Sequence, residues 1–222
     1  MIVAIDGPAA SGKSTVARAL ARRLGMGYLD TGAMYRSIAW LAIKRGVPLE
    51  DDAALTALAE ASPVTLTGEP GSGLSVVFVD GVDVSTAIRT PEIDSAVSAV
   101  ARVPALRRIM VDAQREAATG ADYVVEGRDI GTVVFPDADV KAFITASAEE
   151  RARRRAADER AAGLMPSVDD TLTRLQARDH KDSSREASPL MTADDAFLID
   201  TTGMSVEQVV DTIVELVEEA RA

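Results

Sequence analysis

The sequence predicts an α/β protein of three layers, with helices on both faces of a central parallel sheet and a small antiparallel β insert. Three observations predict it. Short β-branched apolar runs alternate with helical stretches, the pattern of a doubly wound sheet. The first such run enters a glycine-rich turn that opens a helix. After Pro63 the rhythm changes to alternating residues around an Asp80-Gly81 turn, which reads as a hairpin. At 222 residues the chain is near the upper end of what one hydrophobic core fills, so a single domain is expected.

Each element has its own signal. Ile2-Val3-Ala4-Ile5 reads as a buried strand, and Ser14 to Leu24 as a helix with Val16, Ala17, Leu20 and Leu24 on one face and Gly25 as its stop. Tyr28 to Gly32 reads as a second strand entering a turn, before helices from about Ala33 to Lys44 and from Asp52 to Ala61. Val64 to Thr67, Leu74 to Val79 and Val82 to Val84 are the strands of the insert. Helical pattern returns from Pro91 to about Ala118, broken near Pro104. Tyr123 to Glu126, Val140 to Ile144 and Phe197 to Asp200 are further strands, and Glu149 to Ala162, Val168 to Lys181 and Ser205 to Arg221 further helices.

Composition narrows the function. An apolar fraction of 47% and a charged fraction of 27% are those of an ordinary globular protein. A net charge of -11 argues against coating a nucleic acid polymer, which requires many Lys and Arg on phosphates. Small phosphorylated ligands need only a local basic cleft. Without cysteine there is no disulfide framework, thiolate metal site or thiol nucleophile, consistent with a reducing cytoplasm. Asp6 interrupts the first apolar run, against a secretory signal, and no stretch reaches membrane-spanning length.

Gly7-Pro8-Ala9-Ala10-Ser11-Gly12-Lys13-Ser14 meets the G-x-x-x-x-G-K-[ST] pattern at every defined position, with Thr15 next inside the helix. Glycines let successive amides turn toward phosphate oxygens, and the helix start adds its dipole. Lys13 would bridge the terminal phosphates of a nucleoside triphosphate, and Ser14 would offer its hydroxyl to Mg²⁺. The motif does not separate kinase from hydrolase. A hydrolytic switch would use an acid at a strand end, and Glu126 fits; a kinase would need several arginines for an acceptor. Arg151, Arg154 and Arg155 share a helix face that could close over a triphosphate, or pair with Glu149, Glu150, Asp158 and Glu159.

Leu29 to Arg36, Ile88-Arg89-Thr90, the run from Glu126 through Gly127-Arg128-Asp129 to Pro136, and Arg178 to Arg185 join that loop in a pattern that resembles the bacterial cytidylate kinases, over nearly the whole chain. The resemblance implies a three-layer P-loop fold and transfer of the γ-phosphoryl group of ATP, with Mg²⁺, to CMP or dCMP. It implies core segments 1–34, 121–149 and 166–222, a monophosphate-binding region at 35–120 with its insert at about 63–103, and a short helical lid at 150–165. Gly7 to Thr15 with Arg151 and Arg155 would hold ATP, and Lys13, Arg128, Asp129 and Arg154 would surround the transfer. Arg36, Arg128 and Arg185 would clamp the acceptor phosphate, and Asp129 would accept from the cytosine amino group. Thr31, Ser98 and Arg107 would join it at the base, and Arg178 and Asp182 would contact the sugar.

Asp129 paired with Arg128, or Asp182 paired with Arg178 or Arg185, would be plainer roles for these residues. His180, the only histidine, is expected at the surface and not as a base. Compared with relatives, Thr31 stands where serine is common, Lys181 where arginine is frequent, and Ser14 where some have glycine. A uridylate or adenylate kinase on the same fold and a P-loop switch are the rivals. The protein is expected to act as a cytoplasmic monomer on small-molecule substrates.

Overall fold

Strand β1, Ile2–Asp6, runs through the middle of the molecule, where Val3, Ala4 and Ile5 are fully buried. In the computed structural model, which describes residues 1–161 and 163–222, it is the third of five strands. The sheet order is β2 (Gly27–Asp30), β6 (Tyr123–Glu126), β1, β7 (Val140–Thr145), β8 (Phe197–Asp200), and every pairing is parallel. Ile5 lies beside Glu126, which lies beside Asp30, so three loops leave the sheet at one level. Ligands of such sheets bind beyond these carboxyl ends.

Alternation along the strands divides the core by face. Val3, Ile5, Tyr28 and Val124 pack with helices α1 (Lys13–Leu24) and α8 (Val206–Arg221). Ala4, Leu29 and Val125 pack with α2 (Thr31–Arg45), α3 (Asp52–Ala61), α4 (Pro91–Ala101) and α5 (Pro104–Ala117). That second core also takes Val64, Leu66, Val77 and Val79 from β3 (Val64–Thr67) and β4 (Val76–Val79), which with β5 (Val82–Asp83) make a separate antiparallel sheet. Helices α6 (Ala148–Ala161) and α7 (Val168–Ser183) bring Ala152 and Leu175 against Ala9 of the glycine-rich loop.

Several local expectations change. Thr31 is helical, because the Asp30 side chain accepts from Ala33 N at 3.2 Å and starts α2 with no intervening turn. Pro104 is the first residue of α5, where its missing N–H costs nothing. Strand β4 starts at Val76, not Leu74, and the segment expected as insert to about 103 includes helix α4. A π-helical turn at Ile130–Val134 has no counterpart in the sequence reading. It rests on Asp6, whose two oxygens accept from Ile130 N at 2.9 Å and Gly131 N at 2.8 Å. The expected end of the sixth helix at Ala162 lies outside the described residues.

Candidate active site

The loop between β1 and α1 is held in a shape that few residues tolerate. Gly7 has φ 144, and a Cβ there would stand 2.0 Å from the Ile144 carbonyl oxygen. Ala10 (φ 59) and Gly12 (φ 92) are also left-handed, curling the backbone into an anion-binding nest. Gly12 caps α1 with no side-chain bond, which leaves the first helical amides for a ligand. Lys13 is buried and folds back, its Nζ donating to the Pro8 carbonyl at 2.7 Å. Burial and the facing Arg128 guanidinium push its pKa down to about 7.

Across from this loop the turn after β6 presents Arg128 and Asp129. Asp129 is buried and pairs with Arg107 of α5 at 2.5 Å, not with Arg128 as one sequence reading had it. The Arg107 guanidinium also donates to the Ala101 carbonyl at 3.0 Å and stacks 5.0 Å from the Tyr35 ring. Arg128 pairs with Asp182 at 3.3 Å, and Arg185 lies 3.9 Å from the other Asp182 oxygen. Arg178, one helical turn before Asp182, has its pKa lowered to about 10 by burial and then by Arg128. Arg185 is lowered too, by burial and by Arg107. The structure thus brings Lys13, Arg128 and Arg178 within electrostatic reach of one another, with Arg185 joined to Arg128 through Asp182.

Thr31 is the first residue of α2 and Ser98 lies on α4. The Thr31 hydroxyl is committed to the Glu126 carbonyl at 2.8 Å, and Ser98 stands one turn beyond Asp94. Arg36 pairs with Asp94, whose second oxygen pairs with Arg155 of α6. Asp94 was absent from the sequence reading; no motif marks it, because its partners come from α2 and α6.

The arginines of α6 do not form one closing face. Arg151 donates to the Ala9 carbonyl at 3.1 Å and pairs with Asp179. Arg154 donates to the Ser11 carbonyl at 3.2 Å, to Thr201 Oγ1 at 3.0 Å and to the Thr201 carbonyl at 2.8 Å, with Glu150 on its Nε. Both therefore brace the loop by its carbonyls, and Arg155 is held by Asp94 and Glu159. In this arrangement Arg154 spends four of its five N–H donors on Glu150, Ser11 and Thr201. His180 is exposed, as expected.

This geometry coincides with a family match over the same residues. The profile described as Cytidylate kinase matches residues 3–219. The chain belongs to the cytidylate kinase family. It is 50% identical over 219 residues to the cytidylate kinase of Pelotomaculum thermopropionicum, covering 99% of this chain and 96% of that one. To the cytidylate kinase of Desulfitobacterium hafniense it is 47% identical, covering 96% and 91%. The bifunctional pantoate ligase/cytidylate kinase of a Synechococcus strain is 49% identical over 97% of this chain and 40% of its own length. Among solved structures, an uncharacterized protein from Eubacterium ventriosum shares the fold at TM-score 0.55, with 14% identity and 98% of each chain covered.

For a cytidylate kinase family member the donor side must also suit Mg²⁺, and the residues present fit it. Ser14 Oγ donates to Glu126 Oε1 at 2.7 Å, which leaves the hydroxyl lone pairs for a cation. Glu126 Oε2 is buried with no hydrogen-bond partner, although such oxygens are nearly always satisfied. No group of three or more His, Cys, Asp or Glu is placed to hold a metal ion among the described residues. Glu126 entered the sequence reading as an acid that a hydrolytic switch would use and as the first residue of the family run, not as a metal partner. No helix among the described residues is long and apolar enough to cross a membrane.

Proposed function

We propose that the protein transfers the γ-phosphoryl group of ATP to CMP or dCMP, giving ADP and the pyrimidine nucleoside diphosphate. The observation that carries this reading is the convergence of Lys13, Arg128, Arg178 and Arg185 between the Gly7–Ser14 loop and the Arg107–Asp129 pair. A donor triphosphate in the loop and an acceptor monophosphate on Arg36, Arg128 and Arg185 would meet across Lys13. Guanidinium forks suit the dianionic acceptor, and the buried Asp129 carboxylate suits a base that presents an amino group. Thr31 and Ser98 would complete the base pocket, and Arg178 with Asp182 would contact the sugar.

An acceptor phosphate oxygen attacks the γ-phosphorus in line while the bond to the β-bridging oxygen breaks. The acceptor is already ionised, so the chain need not supply a general base. Lys13 and the loop amides stabilise charge gathering on the bridging oxygen, and Arg128 offsets repulsion between the two phosphates. Ser14 and Glu126 would hold Mg²⁺, which when bound supplies positive charge to the β- and γ-phosphate oxygens. Arg151 and Arg154 keep the loop in shape from behind. Coupled measurement of ADP formation tests the reading. Turnover with ATP and Mg²⁺ should rise steeply on adding CMP; turnover indifferent to CMP would refute it.

A further inference from the structure

Tyr28 has no role in the reading above, yet it reaches the donor side. It lies on β2 with its ring buried at 3% exposure, and its hydroxyl donates to Glu126 Oε1 at 2.7 Å. Ser14 donates to that same oxygen. The last torsion of a glutamate side chain is intrinsically loose, so two donors converging on one oxygen are what set its rotation. They leave Oε2 as the oxygen with no partner, although it is buried. A phenylalanine would fill the same space and leave Ser14 alone to orient the carboxylate.

We propose that Tyr28 is a positioning residue for the metal: its hydroxyl selects which Glu126 oxygen turns toward the cation carried with the donor phosphates. The inference rests on the donor half of the proposed function. A buried tyrosine also needs some acceptor for its hydroxyl, and that need alone would make the contact structural. The two cases separate in what they move. A positioning role changes metal affinity and leaves the acceptor side alone, whereas a structural role loosens both or neither.

The test compares wild type with Tyr28→Phe, using Mn²⁺ as a paramagnetic probe in the presence of saturating ADP. Partners that orient metal ligands are typically worth about 10–100-fold in metal affinity. Mn²⁺ should bind roughly tenfold more weakly to Tyr28→Phe, while calorimetric CMP affinity and a single melting transition are retained. Unchanged Mn²⁺ affinity, or equal weakening of Mn²⁺ and CMP binding, overturns the proposal. Wild type alone provides a second reading. Adding Mg²⁺ to its ADP complex should perturb the near-ultraviolet absorption of a buried tyrosine, and absence of that change also overturns it. If wild type phosphorylates CMP while Tyr28→Phe binds Mn²⁺ normally, the kinase reading stands and this inference falls.

Discussion

Replacing Asp129 by alanine removes the partner of a guanidinium that cannot shed its proton. The Arg107 and Asp129 side chains are 4% and 6% exposed and 2.5 Å apart, so solvent cannot take over the lost interaction. Burial works against the Arg107 charge, and Tyr35 and Asp129 more than offset it, raising its pKa. Breaking such a pair from one side costs about 3–5 kcal/mol. At about 2–4 °C per kcal/mol for a chain of this size, the melting temperature should fall by roughly 6–20 °C. Activity should change in a different way. Loss of the group that accepts from the cytosine amino group costs about 1–3 kcal/mol, or roughly 5–150-fold in kcat/KM for CMP relative to UMP. Asp129→Asn separates the two effects: its oxygen can still accept from Arg107, restoring most of the stability, while its amide hydrogens favour the uracil carbonyl. Melting curves with kcat/KM for CMP and UMP decide. Equal losses for both nucleotides, or an alanine variant that melts within about 2 °C of wild type, would refute the reasoning.

Lys13 gives a pH prediction. Its pKa falls from 10.5 to about 7 on folding, so between those values the unfolded chain holds a proton that the folded chain lacks, and folding stability should rise with pH across that window. Nucleotide phosphates restore the charge, so ADP binding above pH 7 should take up a proton, visible by calorimetry in buffers of different ionisation heat and absent in Lys13→Met. Lys13→Ala should also slow turnover by about 100-fold or more in single-turnover assays. Asp94→Asn frees Arg36 and Arg155 from a carboxylate whose side chain is only 20% exposed, so stability should fall in a denaturant titration, while the KM for CMP falls because a competing anion is gone; a rise would mean that Asp94 holds Arg36 in place. Gly7→Ala would force a Cβ to 2.0 Å from the Ile144 carbonyl oxygen at φ 144, and should cost at least about 3 kcal/mol in a denaturant titration.

The amino-acid sequence by itself determined what is local or periodic. The alternation of strand and helix signals, the Asp80-Gly81 hairpin and the split at Pro104 depend on neighbouring residues, and each appears in the fold. The Gly7–Ser14 loop is contiguous, so its backbone requirement is written in its own glycines. The Gly127-Arg128-Asp129 run and the late arginines were legible as residue types in a family pattern. Tertiary structure alone decided who pairs with whom. Asp129 takes Arg107, 22 residues away, rather than its neighbour Arg128, because β6 ends where α5 passes. Glu126 collects Ser14 and Tyr28 from 112 and 98 residues away, because parallel pairing sets β1, β2 and β6 at one level. Arg151 and Arg154 reach the loop carbonyls of Ala9 and Ser11, because α6 packs Ala152 against Ala9. A sequence states charge and period. The partner of a buried charge is set by strand order, which only the assembled chain defines.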